Sequence, residues 1–200
     1  MDRSRRYVMS GGMGAATLNP GGHPIENGAP STLDFEHSLS TQASFGRRLG
    51  APTPHMTIYA DASGAVVWGS GLRGVEAPSS CNVHWQSVGP ALGLHFATPS
   101  PTAFEVQGGM AFVHASRPRC AAAGSVTEGK SATIVSPMIG ASVIFGLTPR
   151  IGWSLGGQWL QVPLDRLELQ NGRHWGGIGA VSVVLTFPAG AAAARTVVKR

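Results

Sequence analysis

Charge is scarce in this chain. Only 12% of its 200 residues are Asp, Glu, Lys or Arg, about half of the roughly 25% usual in a soluble domain. A surface wetted on every side is hard to build from so few charges. Long apolar runs are missing too: none approaches the ~20 residues of a membrane-spanning helix, which excludes insertion as helices. The basic start (Arg3, Arg5, Arg6) is not followed by an apolar stretch of ~7–15 residues, so no secretory signal is expected here. Cysteine is limited to Cys81 and Cys120, enough for one disulfide or two separate thiols.

What remains is an ordinary apolar fraction of 42%, punctuated throughout by 28 glycines and 14 prolines. That combination suits a single β domain whose exterior need not face water. The formal charge of +5 raises nucleic acid as a partner, but the basic residues are scattered singly without interleaved aromatics, so none is expected.

Residues 1–32 are rich in Gly, Pro, Asn and Ser and read as a flexible lead-in. From Leu33 the chain alternates. Leu33, Phe35, His37, Leu39, Ala43 and Phe45 share one parity, and Asp34, Glu36, Ser38, Ser40, Gln42 and Ser44 the other. Period two marks a strand with unlike faces. The alternation returns over 88–96, 103–115, 137–147, 151–162 and 174–187. Two weaker segments, 55–62 and 65–73, are divided by Ala62-Ser63-Gly64. The count is eight strands over 33–187.

In each clear strand one face is bulky and apolar while the other holds Gly, Ala, Ser, Gln or an acid. A soluble barrel would turn the bulky face inward and charge the outside. Here the second face is small, which suits the cramped interior of an eight-stranded barrel with its apolar face outward. The expected fold is therefore all-β: a closed antiparallel up-and-down barrel of transmembrane type. The expected connections alternate in length, with long ones at 46–54, 74–82, 116–132 and 163–173. None of the 15 Lys and Arg residues falls inside an expected strand, although Arg73 ends one. Aromatics such as Phe45, Trp68, Phe96, Phe104, Trp153, Trp159, Trp175 and Phe187 lie near strand ends and read as interfacial girdles.

Four acids, Asp34, Glu36, Asp61 and Glu105, fall on the lumen parity and are expected to gather at the short-turn end. There they would attract cations or pair with Arg150 and the basic tail, residues 188–200. Cys81 and Cys120 flank the 88–115 hairpin and so would reach the same end of neighbouring strands. A disulfide, which needs Cα atoms within ~7 Å, is expected between them. Arg47, Arg48, Arg117, Arg119, Arg166 and Arg173, with Arg73 and Lys130, are expected in the long loops, a basic surface for lipopolysaccharide or other polyanions.

The run from Pro137 through the Thr148-Pro149-Arg150 turn to Trp159, and the closing 176–187 segment ending in Phe187, carry a resemblance. The chain resembles the small eight-stranded outer-membrane barrels, typified by the transmembrane domain of outer membrane protein A. The resemblance implies an outer-membrane location, a lipid bilayer around a monomer, no cofactor and a non-enzymatic role in structure, surface contact or passage of small solutes. A mitochondrial or plastid outer membrane fits less well.

Other motifs add little. Gly69-Ser-Gly-Leu-Arg-Gly74 matches a dinucleotide fingerprint, but Val75-Glu-Ala-Pro-Ser-Ser cannot open the required helix. Tyr59-Ala-Asp-Ala-Ser resembles the first strand of ribonuclease H folds, but no amphipathic helix follows. The seven histidines show no metal-ligand spacing. His114 and Ser116 are the one Ser–His pair suggesting a lipid-modifying enzyme, but they lack an orienting acid. A soluble barrel, as a ligand carrier or virion component, is the other alternative.

Overall fold

A computed structural model describes residues 7–19, 34–35, 38–74, 77–117, 120–122, 125–127, 129–167 and 174–187. Its strands in chain order are β1 (Tyr7–Asn19), β2 (Asp34–Phe35), β3 (Ser38–Thr53), β4 (Met56–Gly74), β5 (Ala77–Ala97), β6 (Thr102–Arg117), β7 (Cys120–Ala122), β8 (Ser125–Thr127), β9 (Lys130–Gly146), β10 (Ile151–Val162) and β11 (His174–Phe187). A single 3-10 turn, η1 (Asp165–Leu167), precedes β11. Eight of the strands are long, and each pairs antiparallel with the next along the chain. The wall closes where β1 meets β11, in unbroken register from Tyr7↔Phe187 to Asn19↔Trp175. The expected closed up-and-down barrel is thus present.

The faces are inverted relative to a soluble barrel, as the parity implies. Phe104, Val106, Met110 and Phe112 on β6, and Val181 and Val183 on β11, are exposed on the outside. Ser40, Ser136, Ser182 and Gln158 are buried inside. Stacked pairs at the short-turn end, Tyr7 with Phe45 and Phe145 with Trp153, have ring centroids 5.7 and 4.3 Å apart. Aromatics at one end of the wall fit the pattern of a girdle.

Several expectations are corrected. Within the 1–32 lead-in, Tyr7–Asn19 is a full barrel strand. Two of its glycines are a packing requirement: a Cβ on Gly12 or Gly14 would overlap the Val181 or Gly179 carbonyl oxygen of β11. The two weak segments 55–62 and 65–73 are one strand, β4, and the small residues between them are mid-strand. Ser63 faces the lumen, donating its Oγ hydrogen to Met138 Sδ at 3.5 Å, while Gly64 pairs with Ala43 and Val88. The count of eight still holds, because β1 adds a strand while the two weak segments form the single strand β4.

The chain instead reverses at Pro54-His55, so 46–54 is not a long loop. Arg47 and Arg48 stand within β3, and Arg117 and Lys130 within the ends of β6 and β9. The short connections, 54–55, 98–101 and 147–150, mark one end of the barrel. The opposite end is the loop end. The structure lends no support to the expected Cys81–Cys120 disulfide, and both side chains lie outside the described ones. Cys81 pairs with Leu72 in the wall, and Cys120 with Thr127 in the small β7–β8 hairpin.

Candidate functional site

The lumen divides into two unlike halves. Toward the short turns it is polar. Tyr59 and Asp61 of β4, Glu105 and Gln107 of β6 and Gln158 of β10 surround a cavity of about 60 Å3. Hydrogen bonds tie its walls together across strands. Ser10 and Ser44 hydroxyls lie 2.7 Å apart, and Gln42 Nε2 donates to Ser182 Oγ at 3.2 Å. His95 Nδ1 stands 3.8 Å from Glu105 Oε2, and its ring meets Tyr59 edge-on at 6.2 Å. Asp61 Oδ2 has no hydrogen-bond partner among the described residues. Glycines flank its carboxylate on both neighbouring strands: a Cβ on Gly46 of β3 would overlap Oδ1, and one on Gly93 of β5 would come within 2.5 Å of Oδ2. A wider cavity of about 300 Å3, lined by Thr57, His95, Pro99, Pro101 and Thr186, continues to the short-turn mouth.

Toward the loop end the lumen is mostly apolar. Val67, Val83, Trp85, Val113, Leu160, Val162 and Ile178 pack into one apolar cluster, each at most 2% exposed. Leu164 and Leu167, from η1 and the residues before it, fold onto the same cluster and are fully buried. A close-packed apolar interior has few voids wide enough for water. Gly176 makes the packing possible, since a Cβ there would sit 3.3 Å from Trp85 Cζ2 and 3.0 Å from Val162 Cγ2. Val113, Leu160, Val162 and Ile178 share the inward parity of their expected strands, but Val83, Trp85, Leu164 and Leu167 lie outside every expected strand, and no local pattern marks them as a plug.

The expected acidic cluster is half assembled. Asp61 and Glu105 line the same cavity. Asp34 does not join them, because β2 pairs with the loop-end part of β4, Asp34 opposite Arg73; Glu36 lies outside the described residues. Of the basic residues, Arg47 is exposed on the outer wall, while Arg48 is on the lumen parity beside Tyr59 of β4. Arg117 is 7% exposed at the top of β6, and Arg166 is exposed on η1. Arg119 and Arg173 fall outside the described residues. His114 and Ser116 both stand on the outer parity of β6, and His114 Nδ1 lies 2.9 Å from Thr133 Oγ1 of β9. No carboxylate orients His114 among the described residues.

Closure, inversion and a polar lower lumen define an eight-stranded barrel of the outer-membrane type. Solved structures of such barrels superpose on it. Neisserial surface protein A is matched at a TM-score of 0.56 and 16% identity over 90% of this chain and 97% of that one. The outer membrane protein OprG of Pseudomonas aeruginosa gives 0.54 and 8% over 92% and 98%. Ail, the attachment invasion locus protein of Yersinia pestis, gives 0.53 and 12% over 92% and 99%. At these identities the likeness is one of fold. No protein-family model and no curated protein matches the sequence.

Proposed function

We propose that this chain is a monomeric outer-membrane protein that neither conducts solutes nor catalyses a reaction, and that acts by contact at the cell surface. The observation that carries the proposal is the apolar plug. Passage would need a water-lined path, and the cluster around Trp85 and Leu160 fills the loop-end half of the lumen with buried hydrocarbon. The acids Asp61 and Glu105 then lie in a pocket open at one mouth. The bilayer placement is supported by the exterior, where exposed Phe, Leu, Val and Met side chains ring the wall as lipid-facing residues do.

The contact surface is the loop end, where Arg166 is exposed; Arg119 and Arg173, outside the described residues, are proposed to join it. A basic surface of this kind attracts lipopolysaccharide or other polyanions. Ail, a barrel of the same fold, has been crystallised in complex with the heparin analogue sucrose octasulfate.

The test places the full chain in vesicles and measures sucrose octasulfate binding, with a planar-bilayer recording alongside. Saturable binding that weakens when Arg119, Arg166 and Arg173 are changed together to Ser is expected, with no stepwise current. Unchanged binding by that variant defeats the surface-contact reading, and stepwise conductance defeats the closed-lumen reading. Unaltered membrane lipids in cells expressing the chain are expected, and a modified lipid would establish the enzymatic alternative instead.

A further inference from the structure

Over most of the outer wall the outward positions are large and apolar, as with Ile139, Leu155 and Val181. Between β3 and β6 this pattern breaks. Thr41, Ala43 and Gly64 lie side by side there, Ala43 opposite Gly64 and Gly64 opposite Val88. Small residues leave the wall shallow between the taller Val66, Val88 and Phe112. The result is an open groove of about 620 Å3.

The groove changes character along its length. Its loop-end rim is formed by Gln86, His114 and Thr133. Past Val66, Gln86 and His114, which the two share, it runs into a second depression of about 300 Å3 with Trp68, His84 and Ser116 on its walls. Arg166 leans onto this rim from η1, donating from Nη1 to the Thr133 carbonyl oxygen at 3.3 Å. The guanidinium is exposed, and no carboxylate pairs with it among the described residues. Uncompensated polar groups on a lipid-facing wall are costly, and an Arg fork matches the oxygens of a phosphate. An amphiphile with an anionic phosphate and an apolar chain fits both ends.

We propose that this groove holds one phosphorylated, acylated lipid. Its chain lies along the Ala43–Gly64 floor, and its phosphate sits at Arg166 beside the His114 imidazole. The inference rests on the bilayer placement above but not on the surface-contact role.

The experiment uses the full chain folded into phosphatidylcholine vesicles doped with phosphatidylglycerol. The chain is extracted in mild detergent and its retained lipid is counted by native mass spectrometry. Heat-modifiable migration on a gel first establishes that each variant is folded and inserted. A charge-assisted contact predicts phosphatidylglycerol retained over phosphatidylcholine by roughly tenfold. Arg166→Gln removes that preference, while inorganic phosphate alone does not bind. Ala43→Phe, which fills the floor from the lipid side, removes retention of both lipids; Val181→Phe, on β11 across the barrel from the groove, removes neither. Equal retention of the two lipids by the unaltered chain overturns the proposal, as does retention indifferent to both Arg166→Gln and Ala43→Phe. Failure of every variant and of the unaltered chain to insert counts against the bilayer placement itself.

Discussion

Trp85 on β5 and Gly176 on β11 face each other across the lumen, and a single methyl group on Gly176 would stand 3.3 Å from the Trp85 ring. This contact packs the loop-end half of the barrel, because the indole fills the space that a side chain on β11 would otherwise occupy.

Trp85→Ala therefore has two consequences. Emptying a buried indole site costs roughly 3–5 kcal/mol, read as a lower midpoint of urea unfolding from vesicles. If the plug is what closes the lumen, combining it with Leu160→Ala brings measurable ion passage across planar bilayers. A stable, silent double variant would show that other residues seal the barrel.

Gly176→Val tests the same contact from the opposite side. Added methyl groups must push against Trp85, Val162 Cγ2 at 3.0 Å and Leu18 Cδ2 at 3.1 Å. Overpacking of this kind typically costs about 1–3 kcal/mol. Pairing it with Trp85→Leu should return part of that loss in the same unfolding assay, the signature of direct coupling.

The seam between β1 and β11 gives a sharper prediction. A Cβ at Gly12 would overlap the Val181 carbonyl oxygen, so relief requires the backbones to separate. Gly12→Val is expected to abolish the compact, heat-modifiable gel form, whereas Gly11→Val, with open space around its Cβ position, leaves it intact.

Ile139→Arg distinguishes lipid from water outside the wall. Ile139 is 54% exposed midway along β9. Facing lipid near the midplane, an Arg there costs about 2–4 kcal/mol; facing water, a surface change of this kind stays within about 0.5 kcal/mol. Comparison of unfolding midpoints decides between the barrel in a membrane and the soluble alternative.

Glu105→Gln should matter far less than Trp85→Ala. The His95–Glu105 pair, at 3.8 Å and 15% and 24% exposed, is partly screened, and such pairs contribute about 0–1 kcal/mol. A loss of several kcal/mol would mean that Glu105 supports more of the lumen network than this one pair.

Much of this architecture was legible in the residues themselves. Period-two alternation with a small second face specifies strands, their inward and outward sides and an inverted barrel, because side-chain direction in a strand follows from parity alone. That is why Phe104, Val106 and Phe112 stand outside, and Asp61 and Glu105 inside, as their positions imply. Strand boundaries were less legible where side chains are smallest. The glycines of Tyr7–Asn19 and the Ala62-Ser63-Gly64 run look like loop signals, and only the neighbouring backbone shows that they relieve crowding or lie mid-strand.

Tertiary structure alone decided the rest. Which residues meet across the lumen depends on register and closure, and a local pattern contains neither. Closure took Asp34 away from Asp61, put Cys81 and Cys120 in separate sheets and moved Arg47 and Arg48 into the wall. It also brought Leu18, Trp85 and Leu160 from three distant segments into one apolar plug. The sequence by itself determined which way each side chain points; the pairing of β1 with β11 determined what each one faces, because only a closed wall gives an inward side chain its neighbours.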